Sequence, residues 1–453
     1  MKLTSIKIDQ KWLVLIAIGM STFMSALDTS VVNIVLPIIT ESFGSDIATV
    51  EWVVIIYLLI VSGLLLSFGR LGDIRGHRPI FLIGFSIFIL SSALCGLSPT
   101  VELLILFRGL QAIGAAMLAA NSPAILTKSF PASQRGQALG LQATMTYLGL
   151  TVAPSLGGWL TDLVSWRAVF YINIPVGLFA LGLAWMFIPA DGDKKLREPF
   201  DFQGALLFLA GLVALLLALN QGSTLGWFSS TIIGLFVFAG IFIGLFIHVE
   251  KKRSNPLLDL SLFGNRVFSA SVISAVFNYI AVFSILFLMP FYLLQGREFT
   301  PSQAGLILTI QPIVMAIIAP LSGSISDRIG TRIPSVFGML VLTLGIFMMS
   351  RLGPATPIYQ IGIVLAIVGL GTGTFISPNN SAIMGAAPLK RQGIAAGLLA
   401  TARSTGMVLG IGLAGAIFTT MLGDNAVYVA VSASLLAAAG FAAVGAFFSA
   451  IKK

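Results

Sequence analysis

The chain has 453 residues, 57% of them hydrophobic and only 9% charged, whereas a soluble domain carries about 25% charged residues. That balance excludes a soluble globular fold and describes an all-α integral membrane protein. The net charge of +9 comes without a basic patch interleaved with aromatics, so it speaks for membrane topology rather than for a nucleic-acid partner.

Spans of about 20 mostly apolar residues read, in chain order, at roughly 12–36, 50–69, 79–97, 103–127, 138–161 and 168–188, then 203–221 and 231–249. Six more follow at roughly 267–294, 304–325, 334–351, 357–384, 395–421 and 427–450, making fourteen. The first follows Lys2, Lys7 and Lys11 but is too long and too polar for a signal-peptide core of about 7–15 residues, so it is read as a retained span. The twelfth is interrupted by Pro378, Asn379 and Asn380, which predicts a broken helix there.

Lys and Arg fix the expected orientation. With both termini inside, 21 fall on the inner side and three outside (Arg167, Arg297, Arg351), with Arg108 and Arg403 within spans. This positive-inside bias predicts a multi-pass protein with both termini cytoplasmic.

After the second span the chain reads Gly69-x-x-x-Asp73-x-x-Gly76-x-Arg78, with Arg75 between. After the tenth it reads Gly323-x-x-x-Asp327-x-x-Gly330-x-Arg332, offset by 254 residues. A tight basic loop needs Gly for positive φ and Arg for topology, which accounts for either copy alone. Recurrence at matching positions predicts a duplicated transporter that rocks around a midplane site. The expected layout is six plus two plus six: a six-helix bundle in 1–190, a two-helix insertion in 191–266 and a second six-helix bundle in 267–453.

Of seventeen carboxylates, Asp28 alone sits within a long apolar segment. A charge at that depth costs about 2.5–3.5 kcal/mol on insertion scales, and such residues mark proton or substrate pathways. Apolar surroundings favour the neutral carboxyl, so Asp28 is the candidate proton carrier, with a permanently hydrogen-bonded packing carboxylate as the alternative. Arg108, always charged, must face a cavity or a partner: Asp28, Gln111 or backbone carbonyls. Arg403, near the inner end of its span, reads either as a snorkelling side chain or as an inner-gate contact. Asp73, Arg75, Arg78, Asp327 and Arg332 are candidate gating groups, with an ordinary surface ion pair as the alternative. Gly149, Pro154, Gly157 and Gly158 give span 5 a kink and a small-residue face. Amides and aromatics supply the candidate substrate cavity: Asn33, Tyr57, Gln142 and Tyr147 in the first half, Asn278, Tyr279, Phe283, Gln311, Asn379, Asn380 and Met384 in the second.

These blocks resemble the major facilitator superfamily, whose loop motif matches Gly69–Arg78 and, more weakly, Gly323–Arg332. Leu27–Pro37, Arg108-x-x-Gln111-Ala-Ile-Gly114, Gly149-x-x-x-Ala153-Pro154-x-x-Gly157-Gly158 and Trp166-Arg167-x-x-Phe170-x-x-Asn173-x-Pro175-x-Gly177 are similar to its fourteen-span drug:proton antiporters. Ala112 and Ala153 stand where that pattern usually has Gly. The resemblance implies a role for Arg108 in proton coupling, for Asp73 in gating and for the span-5 motif in export. It implies a proton-driven exporter of lipophilic, cationic or zwitterionic drugs, acting as a monomer in a cytoplasmic membrane. No acid lies in spans 9 to 14, unlike relatives that take divalent cations. The rivals are a same-fold carrier of one lipid, siderophore or antibiotic, and a transport-dead sensor. One cysteine and two distant histidines predict neither disulfide nor metal site. No P-loop or nucleophile–base set occurs, so neither a cofactor nor an enzyme is expected.

Overall fold

The computed structural model describes residues 9–131, 134–190, 202–252, 260–387, 392–422 and 426–452. Its regular elements are helices, as lipid demands of backbone that can satisfy its polar groups only internally. In the first half they are α1 (Gln10–Phe43), α2 (Ile47–Arg75), α3 (His77–Leu97), α4 (Val101–Ser129), α5 (Arg135–Leu163), the short α6 (Ala168–Tyr171) and α7 (Asn173–Phe187). There follow α8 (Phe202–Leu225) and α9 (Ser230–Lys252), then α10 (Arg266–Phe291), extended by a π-helical turn Tyr292–Gly296. The last five are α11 (Pro301–Ile329), α12 (Arg332–Met349), α13 (Ile358–Ala386), α14 (Gln392–Leu422) and α15 (Val427–Ala450). Among the described residues, thirteen helical segments are long and apolar enough to cross a membrane. The 29-residue α5, diluted by Gly, Thr and Gln, is not one of them.

The two halves pack alike. α1 lies on α5 and α7, α2 on α4, and α3 on α4 and α7. In the second half α10 lies on α14 and α15, α11 on α13, and α12 on α13 and α15. Between halves α5 meets α11 and α2 meets α14, while α8 pairs with α9 and touches α2 and α14. The repeated loop glycines are explained by backbone: Gly76 has φ +101° and Gly330 φ +85°, a region that penalises any side chain. In the first copy His77 Nδ1 and Asn121 Oδ1 lie 2.8 Å apart, tying the start of α3 to α4 under Gly72.

One expectation is corrected. α13 runs unbroken through Pro378, Asn379 and Asn380. Proline at 378 removes the bond to the carbonyl four residues earlier, and that carbonyl, Thr374 O, instead accepts from Ser322 Oγ of α11 at 2.7 Å. A neighbouring hydroxyl thus replaces the lost backbone donor.

We term distal the end that holds the starts of α2, α11 and α15. There the halves are closed on each other. Gly158 of α5 lies against the Pro301 carbonyl of α11, and Gly305 of α11 against the Pro154 carbonyl. Asp162 Oδ2 accepts from Ser302 N at the start of α11 (2.9 Å), and Ser155 and Thr309 share a hydroxyl hydrogen bond of 2.7 Å.

At the opposite end Lys452 folds back beyond α15. Its Nζ donates to Asn379 Oδ1 at 2.6 Å and stands 5.7 Å from the Phe375 ring centroid. Burial pushes this ammonium from 10.5 down to about 7. Between those values a released tail holds a proton that the docked tail lacks, so docking strengthens as pH rises through this window and is weakest at its lower end. A spin label at the exposed Ile451 is expected to be more mobile at pH 7 than at pH 9. Lys452→Met should flatten that difference.

Candidate functional site

Asp28 sits in the middle of α1 and is fully buried, as are Arg108, Gln111 and, at 1% exposure, Asn173. Its Oδ2 accepts from Arg108 Nη1 at 2.6 Å; its Oδ1 accepts from Gln111 Nε2 at 3.1 Å and from Asn173 Nδ2 at 2.9 Å. Arg108 and Gln111 are three residues apart on α4 and so share a face. Arg108 Nη1 also reaches Gln111 Oε1 (2.5 Å), and Gln111 Nε2 reaches Ser92 Oγ on α3 (2.7 Å). Arg108 Nε donates to the Val53 carbonyl of α2 (3.1 Å), and its guanidinium stacks 4.2 Å from the Tyr57 ring centroid. Phe170 of α6 closes the far side at 5.7 Å. Five elements, α2, α3, α4, α6 and α7, therefore gather around the α1 carboxylate, all from the first half.

The small residues of span 5 place this carboxylate. Gly149 lies against the Phe23 carbonyl and Leu27, and Gly157 against Val31, one residue before and three after Asp28. α5 thereby presses on one side of α1 and leaves Asp28 turned toward α4 and α7. Pro154 and Gly158 face the other way, onto α11.

The remaining sequence candidates scatter. Asn33 is buried near Asp28, its Nδ2 on Thr29 O (2.7 Å) and its Oδ1 without a partner. Gln142 Nε2 donates to Thr22 Oγ1 (3.2 Å), joining α5 to α1. Asn278 and Asn379 turn into the second half's own packing: Asn278 Nδ2 lies 3.4 Å from Met339 Sδ, and Asn379 is held by Ser271 O and Lys452. Phe283 is buried in the apolar core, and Met384 packs against a smaller cluster around Phe268 and Ile383. Gln311 and Asn380 are half-buried. Tyr279 lies beside the Arg403 guanidinium, on a side chain that is itself exposed. Arg78 donates to Trp185 O of α7 at 2.7 Å. Arg75 and Arg332 are exposed, and the side chains of Asp73, Tyr147 and Asp327 lie outside the described residues.

Two features escaped the sequence reading. Asn173 partners Asp28, and only its amide inside an apolar run signals this in the sequence. Glu51, one residue into the second apolar run, is a second buried carboxyl at 1% exposure, so Asp28 does not stand alone. The α8–α14–α2 junction hides it, and nothing local announces that.

Chemically the Asp28 cluster is a buried ion pair whose carboxylate accepts three hydrogen bonds, one at Oδ2 and two at Oδ1. Buried as it is, the carboxylate can be reached from outside only when the helices around it move.

The chain matches the model of the Major Facilitator Superfamily over residues 18–268 and 271–451. It is 35% identical over 417 residues to the riboflavin transporter RibZ of Clostridioides difficile, covering 92% of this chain and 90% of that protein. The multidrug resistance protein Stp of Mycobacterium tuberculosis is 33% identical, covering 90% and 76%, and the multidrug transporter protein MdtP of Bacillus subtilis 31%, covering 92% and 77%. Among solved structures, a bacterial homologue of the human lysosomal transporter Spinster, inward-facing and unoccupied, aligns with a TM-score of 0.70 at 16% identity, over 98% and 97% of the two chains. With a carrier's fold, helices that cross the bilayer and a family match in both halves, this chain belongs to the major facilitator superfamily: it is a membrane-embedded transporter of small molecules.

Proposed function

We propose that the chain is a proton-coupled antiporter that exports lipophilic, cationic or zwitterionic compounds across the cytoplasmic membrane. The observation that carries this reading is the buried Asp28–Arg108 pair with Gln111 and Asn173 around it. The Arg108–Asp28 pair ties α1 to α4; a proton on Asp28 dissolves the pair and frees α1 to shift against α4. Loss of that proton to the other side restores the pair, and a substrate cation competes for the same carboxylate. In this reading α5 is a fourteenth span, α8 and α9 form an insertion between two six-helix bundles, and both termini are cytoplasmic. The Gly158–Pro301 and Asp162–Ser302 contacts then close the outer side.

Inverted membrane vesicles energised to an acidic lumen test this. Adding a lipophilic cation is expected to release protons from vesicles that hold the wild-type chain. No release with any cation of a broad panel overturns the drug-antiport reading. A second reading, a dedicated carrier, draws support from the relative named a riboflavin transporter. Competition by one compound alone favours it; broad competition favours the multidrug reading.

A further inference from the structure

Glu51 lies in the first turns of α2, near the distal end, where the first half, the second half and α8 meet. Its carboxyl lies directly against Gly415 of α14, where even a methyl group would overlap it. On the third side is Asn220 of α8, whose Nδ2 donates to Ala48 O (2.9 Å) and whose Oδ1 accepts from Trp52 Nε1 (2.8 Å) and Gln221 Nε2 (3.1 Å). Asn220 thus clamps α8 onto the same stretch of α2 that presents Glu51. Glu51 is 1% exposed, and neither carboxyl oxygen has a partner in hydrogen-bond geometry, although Asn220 lies beside it.

Among the described residues, no countercharge faces it. α8 carries no ionisable residue between Phe202 and Leu225. On α14 the charged Arg403 is twelve residues from Gly415, about 18 Å along a helix. On α4, Arg108 is engaged with Asp28 and meets α2 at the Val53 carbonyl and the Tyr57 ring, two and six residues on from Glu51, while Glu102 is exposed. On α1, Asp28 is paired and Glu41 exposed; on α3, His77 and Arg78 begin the helix at the opposite end. On α2 itself, Asp46 is occupied in capping Thr49. A charged carboxylate in such a seam would be buried and uncompensated, a state that proteins avoid by neutralising the group or opening the site.

We propose that Glu51 is a second proton-binding carboxyl, separate from Asp28, whose neutral form locks α2 to α14 and α8 and whose ionisation opens that seam. This rests on the proton-coupled reading and extends it: the distal side closes with a proton bound and parts when it leaves. It also gives α8 a task, since Asn220 fixes the α2 segment against which Glu51 is sealed.

The test is a distance measurement between spin labels at Glu41 and Ala426, exposed distal positions of the two halves, in lipid nanodiscs with Cys95→Ala as background. The wild-type distribution is expected to shift from a short to a long population between pH 5 and pH 9. Glu51→Gln, which keeps the size and neutrality of the protonated group, is expected to stay short throughout. Glu51→Ala must also lose the pH response, which guards against a packing fault peculiar to Gln. Asp28→Asn is expected to retain it. A wild type that does not move with pH, or a Glu51→Gln variant that moves as wild type does, overturns the proposal. Its failure is distinct from that of antiport: proton release in vesicles with no Glu51-dependent shift removes the latch alone. A Glu51-dependent shift without proton release keeps the latch and removes the coupling.

Discussion

Asp28→Asn is expected to abolish substrate-driven proton release and to destabilise the protein, and the two losses should separate in a double variant. Removing one partner of a buried ion pair leaves the other uncompensated, at about 3–5 kcal/mol. Here the orphan is Arg108, left with Gln111 Oε1, the Val53 carbonyl and the Tyr57 ring. Replacing both members by neutral groups is often close to neutral for stability. Asp28→Asn with Arg108→Gln is therefore expected to regain most of the lost thermal stability while remaining uncoupled. If the double variant also recovers proton release, the pair is a packing device and the carrier lies elsewhere.

Gly158→Leu is expected to cost most of the transport rate by a different route. The new side chain must enter the space held by the Pro301 carbonyl, and backbone at the start of a capped helix cannot give as a side chain would. Overpacking of this kind costs about 1–3 kcal/mol, which set against one of two conformations shifts their ratio about 5–150-fold. Labels at Val164 and Glu298, flanking the α5–α11 contact, should report a longer distance, with substrate flux falling in step. Gly182→Leu on α7 has open space around it and should leave both readings unchanged. Equal effects from the two substitutions would show that bulk alone, not closure between the halves, is responsible.

The sequence made the architecture legible because lipid imposes a length and a composition on every span, and because a duplicated loop repeats its glycines for a backbone reason seen at Gly76 and Gly330. It also singled out Asp28 and Arg108, since charges in apolar runs are rare enough to be noticed one by one. It misjudged span 12, where Pro378 reads as a break but a hydroxyl from α11 takes the freed carbonyl. It could not sort the substrate candidates, because an amide in a span must find a partner and nothing local says whether that partner is cargo, Met339 or Lys452.

The sequence by itself determined that this protein lives in a membrane, how its helices are punctuated and which charges cannot face lipid. Only the tertiary structure decided what those charges meet. Asp28 finds Arg108 80 residues away and Asn173 145 residues away, while Glu51, an ordinary residue at a helix start, is sealed by α8 and α14. The physical reason is that lipid and protein interior demand the same apolar composition. Hydropathy therefore marks the spans but not their facing sides, and burial between helices is set by small-residue contacts and polar pairs formed across the whole chain.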